Sequence, residues 1–156
     1  HRTFLIEMSP FQVCRDMIPE AIPHLLSILY HRLGPGYIED ISLRRLINDR
    51  VDLCFVYQAN QRCSVTSRLM GGQVPRELKF GFDGAYVKRE IGPDYEITFK
   101  MGDKSVRVRD PLACSIEDFM TAVSDGREPV IGPMHIINTV IMLDQIYDVA
   151  ENFWKS

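Results

Sequence analysis

Long apolar runs and clusters of charge of one sign are both missing from this sequence. The longest apolar stretch, residues 21–30, is interrupted by Pro23, His24 and Ser27 and is too short to cross a lipid bilayer. The 18 basic and 21 acidic residues are interspersed and give a net charge of −3, so no basic patch is available to neutralise a phosphate backbone. We therefore expect no membrane and no nucleic acid among the partners. Because no secretory signal is recognisable, we predict a cytoplasmic location.

Cysteine is sparse and widely spaced. Cys14, Cys54, Cys63 and Cys114 form no C-x-x-C pair, and no histidine pair lies near enough in the sequence to complete a zinc site. Reduced, mostly buried thiols are the usual state of such cysteines in an intracellular protein. We predict free thiols and no metal site.

Motifs that bind phosphate or carry an activated nucleophile are also missing. The sequence has no G-x-G-x-x-G, no P-loop and no G-x-S-x-G. A helix N-terminus without a glycine-rich turn offers no close approach to a pyrophosphate. We therefore expect no cofactor site within this chain.

The length and the overall composition are those of one globular domain. The chain has 156 residues, of which 46% are hydrophobic and 25% charged. It begins at His1 rather than at a methionine, so we expect it to be a piece of a longer protein.

One helix is indicated near the start of the chain. Apolar residues recur at helical spacing from Met17 to Leu33, and the segment 34–36, Gly-Pro-Gly, ends it. Pro19 and Pro23 suit a first helical turn and not a helix interior. The sequence therefore favours a loop or turn that leads into a helix start at Pro23.

The middle of the chain changes to short segments rich in β-branched and aromatic residues, preceded by a weaker candidate at Phe4–Met8. Tight turns such as Asp83-Gly84 separate them and leave no room for helical crossovers, so mainly antiparallel pairing is expected. The segments are Tyr37–Leu46, Val51–Asn60, Arg62–Leu69, Glu77–Phe82, Ala85–Glu90, Tyr95–Lys100 and Ser105–Arg109.

Two helices follow the strands. Asp110-Pro111 is a helix start, and an apolar stripe from Leu112 to Val123 follows it. The last helix, from about Pro133 to Trp154, is predicted to bury one apolar face, formed by Ile136, Val140, Leu143, Ile146 or Tyr147, Ala150 and Trp154.

The predicted fold class is α+β: a largely antiparallel, mixed, open-faced sheet of about six strands, covered by helices on one face. The other face must then be polar or lie against another subunit. The aromatic and β-branched residues between Val51 and Val87 are too many for one face, so we expect self-association through the sheet.

Glu20 and His24 are the candidate catalytic pair. They are four residues apart, so on a helix the carboxylate can orient the imidazole and raise its basicity. Such a histidine accepts a proton from a hydroxyl whose carbon loses hydride. The alternative is a structural histidine that satisfies a backbone group at a helix start. Asp16 is an alternative carboxylate.

The other candidates receive structural predictions. His31 is placed as a cation against a helix C-terminus, and His135 has a surface or capping role at the start of the last helix. Lys88 and Arg89 are predicted to be solvated strand residues rather than an anion site.

Three segments, taken in order, resemble a known family. They are EAIPHLLSILYHRLGPGYIEDIS at 20–42, LKFGFDGAYVKRE at 78–90, and DPLACSIEDFMTAVSDGREPVIGPMHIINTVIMLDQIYDVA at 110–150. This pattern resembles the C-terminal domain of the Gfo/Idh/MocA oxidoreductases, which are named after glucose-fructose oxidoreductase, inositol dehydrogenase and rhizopine catabolism. The resemblance covers nearly the whole chain.

The resemblance implies a function and a division of labour. Residues 1–156 would be the substrate-binding and oligomerisation domain of a sugar or cyclitol oxidoreductase, and an N-terminal Rossmann domain outside this chain would bind NAD or NADP. The family's second domain supplies an acid and a histidine at D-x-x-x-H spacing, which map onto Glu20 and His24, although the acid here is Glu. The chain alone would be inactive. The alternatives are a non-catalytic dimerisation module and a free-standing domain that binds a small ligand.

Overall fold

The computed structural model describes residues 1–10, 13–47, 50–71, 78–92 and 96–155. The described chain forms one mixed sheet and three helices. The strands are β1 Arg2–Met8, β2 Tyr37–Leu46, β3 Arg50–Gln58, β4 Arg62–Met70, β5 Leu78–Phe82, β6 Ala85–Ile91, β7 Ile97–Met101 and β8 Lys104–Val108. The helices are α1 Met17–Leu33, α2 Pro111–Asp125 and α3 Pro133–Lys155.

The strand order in the sheet is β2-β3-β4-β1-β5-β6-β7-β8. Only β1 and β4 pair in parallel among the described strands, and every other neighbouring pair is antiparallel. The predicted α+β class is thereby confirmed. The predicted number of about six strands is too low, because all seven segments of the middle and the weak candidate at Phe4–Met8 form strands. Glu77 and Tyr95, predicted as strand starts, lie outside the described residues.

The core lies between α1, α3 and one face of the sheet. Alternating residues of the central strands point to the helices, as the period of two requires, and α1 covers them with Ile18, Ile22, Leu25 and Leu29, which are fully buried. The main buried residues from the strands are Phe4, Ile6, Leu53, Phe55, Tyr57, Val65 and Leu69. The aromatic residues that suggested an apolar second face are thus mostly on the covered one.

The start of α1 differs from the prediction. The helix begins at Met17 and contains Pro23 in its interior, so the predicted loop leading into Pro23 is wrong. The N–H that Pro23 lacks would have bonded the carbonyl of Pro19, four residues earlier, which lies in the exposed first turn. Water can satisfy that carbonyl, while burial of Met17 and Ile18 stabilises the extra turn.

The end of α1 is fixed by two glycines and a tyrosine. Gly34 has a φ of 89° and its N–H donates to the carbonyl of Tyr30 at 2.9 Å. The hydroxyl of Tyr57 donates to the carbonyl of Gly34 at 2.7 Å, and burial raises the pKa of Tyr57 to about 12, so this donor stays protonated. A Cβ on Gly36 would lie 2.3 Å from the carbonyl oxygen of Gln58. The chain can therefore turn from α1 into β2 only with glycine at this position.

The last two helices leave much apolar surface exposed. Asp110 caps α2 by accepting from the N–H of Leu112 at 2.9 Å, but Ala122 is the only α2 residue that is buried. In α3 the buried residues are His135, Met142, Ile146 and Ala150. Ile136 and Val140 are 53% and 56% exposed, so the prediction that they are buried is wrong.

The second face of the sheet carries polar side chains that pair with one another. The carboxylate of Glu7 accepts from Arg68 at 2.7 Å and from Lys79 at 3.2 Å, and Arg68 also donates to Asp52 at 3.3 Å. Partial burial raises the pKa of Glu7, but the hydrogen bonds and positive charges of Arg68 and Lys79 lower it by more. The net effect is a pKa below the usual value of 4.5. We call this face, centred on Glu7, Asp52 and Arg68, the open face.

No described helix is long and apolar enough to span a membrane.

Candidate functional site

A cavity of about 480 Å³ opens at one end of α1, above the second half of the sheet. Its walls come from the end of β1, one face of α1, three neighbouring strands and the first residue of α2, so it forms where most elements of the fold meet. The lining residues are Met8, Ser9, Pro10, Glu20, Ala21, His24, Ser27, Ile28, Leu78, Phe80, Arg89, Phe99 and Pro111.

Glu20 and His24 both line this cavity. They are four residues apart on α1, and Ser27 follows one turn later, so the three lie on one face of the helix. Both side chains are exposed. No hydrogen bond or ion pair joins Glu20 to His24 in the described part of the chain, so each is available to a ligand.

Asp16 does not belong to this group. It lies before the first turn of α1, is exposed, and its carboxylate is 3.6 Å from Nε of Arg15. It is not among the residues that line the cavity. Of the two candidate carboxylates, only Glu20 shares a surface with His24.

The floor of the cavity is apolar. Leu78 and Phe80 of β5 and Phe99 of β7 line it, and the rings of Phe80 and Phe99 meet edge to face with centroids 6.0 Å apart. Apart from Arg89 of β6, the polar residues of the lining lie on α1 and at the end of β1. An apolar surface with a few polar groups beside it is the usual lining of a small-molecule site.

Arg89 is the cavity residue that the sequence did not identify. It pairs in register with Leu78 on one side and with Phe99 on the other, so its side chain is on the cavity face of β6. It is partly buried, and its Nε–H is buried without an acceptor among the described residues. Burial lowers the pKa of its guanidinium. The prediction of a solvated strand residue is wrong for Arg89 because its strand is covered on this face, whereas Lys88 is exposed.

His31 and His135 lie at the far end of α1. His135 is 4% exposed, so its predicted surface or capping role is wrong. Its ring stacks on Tyr30 at 4.2 Å and meets His31 edge to face at 4.7 Å. Burial lowers the pKa of His135, and the charge of His31 lowers it further. His31 is exposed in the last turn of α1, where it was predicted.

His31 also lines a second cavity of about 460 Å³, together with Cys114, Asp118 and Phe119 of α2.

All four cysteines lie in the described part of the chain and are free, as predicted. No group of three or more potential metal ligands occurs among the described residues.

Comparisons with known proteins give the fold a context. No family model matches the chain, and no curated protein sequence matches it either. Solved structures do match. UDP-N-acetylglucosamine 3-dehydrogenase GnnA from Acidithiobacillus ferrooxidans is 16% identical with a TM-score of 0.65, and the match covers 97% of this chain and 54% of that one.

Two further structures show the same pattern. A putative NADPH-dependent oxidoreductase from Desulfitobacterium hafniense is 10% identical with a TM-score of 0.63, and an oxidoreductase from Agrobacterium radiobacter, solved with NAD⁺, L-tartaric acid and magnesium, is 10% identical with a TM-score of 0.55. Each match covers 97% of this chain and 55% of the other. The chain therefore spans about half the length of these structures.

These neighbours are oxidoreductases of the Gfo/Idh/MocA type. The resemblance seen in the sequence is thereby confirmed at the level of the fold, and the chain has the fold of one half of such proteins.

Proposed function

We propose that this chain, which has the fold of one half of Gfo/Idh/MocA-type oxidoreductases, is the C-terminal, substrate-binding half of an NAD(P)-dependent sugar or cyclitol oxidoreductase. The observation that carries the proposal is the placement of Glu20 and His24 together on the wall of the cavity at the end of α1. The name of one structural neighbour, a UDP-N-acetylglucosamine 3-dehydrogenase, supports a sugar-like substrate. Four free thiols accord with the proposed cytoplasmic location.

The chemistry divides between two domains. A nicotinamide cofactor supplies the acceptor for the hydride that leaves the substrate carbon. The described residues offer no glycine-rich turn at a helix start, so we place that cofactor on a first domain outside this chain. His24 accepts the proton of the substrate hydroxyl on a ring nitrogen as the carbonyl forms, and Glu20 stabilises the positive imidazole. The apolar floor, with Phe80 and Phe99, limits access of water to the reacting carbon.

The exposed face of the last two helices supports a first domain as partner. Monomeric proteins rarely expose this many large apolar side chains on two consecutive helices. The members of this apolar helix face are Leu112, Ile116, Phe119, Met120, Val123, Met134, Ile137, Val140 and Ile141, all between 51% and 68% exposed. Pro111, at the start of the same helix α2, lines the cavity. A domain docked there lies beside His24, where a cofactor must reach the substrate.

We also propose self-association through the open face, as a homodimer or a larger homo-oligomer. The support for this is that no described helix covers the face that carries Glu7, Asp52 and Arg68. Because its side chains are polar and already paired, such an interface would rest on hydrogen bonds and ion pairs rather than on apolar burial.

The alternative function is a non-catalytic module that binds a small ligand or mediates dimerisation. The lack of a hydrogen bond between Glu20 and His24 in the described structure favours it, because an orienting carboxylate is expected to contact the imidazole. The two functions differ in the effect that substitution of His24 has on turnover.

Kinetics of the protein with its first domain present test the proposal. His24→Ala should lower turnover by roughly 10²- to 10⁴-fold, the usual effect of losing a positioned acid or base, and leave cofactor binding unchanged. Glu20→Gln should lower turnover less, because the carboxylate acts through the imidazole. His31→Ala is the matched control on the same helix and should not change the rate. Equal turnover of wild type and His24→Ala would assign the protein to the non-catalytic alternative.

A further inference from the structure

Arg89 is a partly buried cation whose neighbours in the sheet carry no charge, and the carboxylate of Glu20 lines the same cavity. Its neighbours across the sheet are Leu78 and Phe99, both apolar. Among the described residues no carboxylate forms an ion pair with it, and its buried Nε–H has no acceptor. At Nε the guanidinium loses hydration without gaining a hydrogen bond in return, which is unfavourable for the folded chain.

The direction of the side chain is set by the strand. Lys88, the preceding residue, pairs in register with Lys79 on the open face, so Arg89 must be on the other face. That face is the floor of the cavity lined by Glu20 and His24. The unmatched cation and the proposed acid–base pair therefore border the same space.

We propose that Arg89 binds an anionic substituent of the substrate, a carboxylate or a phosphoryl group, and thereby fixes which hydroxyl faces His24. The inference deepens the proposed function and rests on it for the role of His24. Guanidinium presents paired donors that match both kinds of oxyanion, and in a covered site such charge-assisted bonds are strong. An uncharged polyol would leave the guanidinium without a partner. The site therefore selects an acidic or phosphorylated sugar-like molecule over a neutral one.

Binding measurements on the chain test this without any turnover. We would titrate D-gluconate, D-glucose 6-phosphate and neutral D-glucitol separately, and follow the imidazole signals of His24 by NMR. One or both anionic probes should bind and shift the His24 signals, and D-glucitol should bind at least tenfold more weakly. Preference between the first two distinguishes a carboxylate from a phosphoryl ligand. Equal affinity for all three, or no binding of either anion, would overturn the proposal.

Variants separate a binding role from a structural one. Arg89→Met keeps the length of the side chain, and should weaken binding of the preferred anion by roughly 10- to 100-fold, the range for lost charge-assisted hydrogen bonds. Arg89→Lys should retain part of the affinity. Lys88→Met, on the opposite face of the same strand, is the control and should bind as wild type does.

Thermal unfolding supplies the second readout. Because the buried Nε–H of Arg89 has no partner, Arg89→Met should unfold at the same temperature as wild type or a higher one. A clear decrease in melting temperature with unchanged anion binding would show that Arg89 is structural and would overturn the inference. If His24→Ala lowers turnover but neither anion binds, only the role of Arg89 is rejected. If an anion binds but the protein shows no turnover, only the proposed function is rejected.

Discussion

The imidazole of His135 stacks on the phenol ring of Tyr30, with ring centroids 4.2 Å apart and ring planes inclined by 15°. This contact joins α3 to the end of α1. It also buries an imidazole, a group that ordinarily gains a proton in water at a pH just below neutral. The Nδ1 atom of His135 has no hydrogen-bond partner among the described residues. The neutral ring is therefore the form that the folded chain holds.

The first prediction is a loss of stability in mild acid that depends on His135. Burial lowers the pKa of His135 from 6.5, so below that pH the unfolded chain takes up a proton that the folded chain does not. Stability should fall as pH decreases from about 7 to 5, by at most about 1.4 kcal/mol per pH unit from this group. His135→Phe keeps the stack on Tyr30 and should flatten that slope in chemical denaturation. An unchanged slope would contradict the prediction.

A control for this experiment lies next to the stack. His31→Ala removes the neighbouring charge that lowers the pKa of His135, so it should reduce the slope only in part.

The second prediction concerns the turn from α1 into β2. Gly36→Ala should destabilise the fold by roughly 2–3 kcal/mol, because the new Cβ would lie 2.3 Å from the carbonyl oxygen of Gln58. Tyr57→Phe should cost about 1 kcal/mol for the lost hydrogen bond to Gly34. Gly92→Ala is the control, since its Cβ would meet atoms no closer than 3.5 Å. Urea unfolding measures all three, and equal stability of Gly36→Ala and Gly92→Ala would show that the turn can relax.

The third prediction concerns the open face. Glu7→Gln should destabilise the chain by about 1–3 kcal/mol at pH 7, because Arg68 and Lys79 lose a charged acceptor. The pKa of Glu7 is lowered from 4.5, so its stabilisation exists above that pH and disappears as pH falls through the folded pKa. The gap between variant and wild type should thus close in acid.

The control for Glu7 is Glu117, whose exposed carboxylate pairs with Arg109 at 2.6 Å. Exposed pairs contribute little, so Glu117→Gln should unfold as wild type does across the pH range. A gap for Glu7→Gln that persists in acid would mean that shape, not charge, accounts for it.

The fourth prediction separates two surfaces in self-association. If the open face mediates contact between copies, Thr66→Lys, which places a charge on the open face in β4, should shift sedimentation towards monomer. Phe119→Lys, on the apolar helix face, should not. The reverse result would assign self-association to α2 and α3, and a wild-type monomer at high concentration would remove the proposal of a dimer.

The fifth prediction is that the 156-residue chain binds neither NADH nor NADPH. No glycine-rich turn is present to receive a pyrophosphate at a helix start. Calorimetric titration should show no heat of binding, and micromolar affinity for either cofactor would contradict the division of function between two domains.

The strands were predictable because each alternates in a way that depends on few neighbours. In β4, Cys63, Val65 and Leu69 alternate with Ser64, Thr66 and Arg68, and that pattern alone indicates a half-buried strand. The start of α1 was not predictable, since the local cost of Pro23 is visible in the sequence while the burial of Met17 and Ile18 is not.

Arg89 and the buried face of α3 were missed for a related reason. Sequence alternation shows that Lys88 and Arg89 face opposite ways, but which face is covered depends on α1 and on the strands at either side. In α3 the position of α1 selects His135 and Met142 for burial rather than Ile136 and Val140. Which residues of a strand or helix are buried depends on the elements packed against it, and their positions cannot be inferred from the local sequence.

The central place of β1 has a consequence for how this architecture can be assembled and altered. β1 pairs with β4 on one side and β5 on the other, and it alone connects the meander β2–β4 to the meander β5–β8. Removing the seven residues from Arg2 to Met8 would therefore divide the sheet into two groups of strands joined only by the chain between β4 and β5. A separate peptide with the sequence of β1 should pair with β4 and β5 and restore the sheet. The domain is therefore suited to fragment complementation, in which β1 is supplied as one fragment and the rest of the chain as the other.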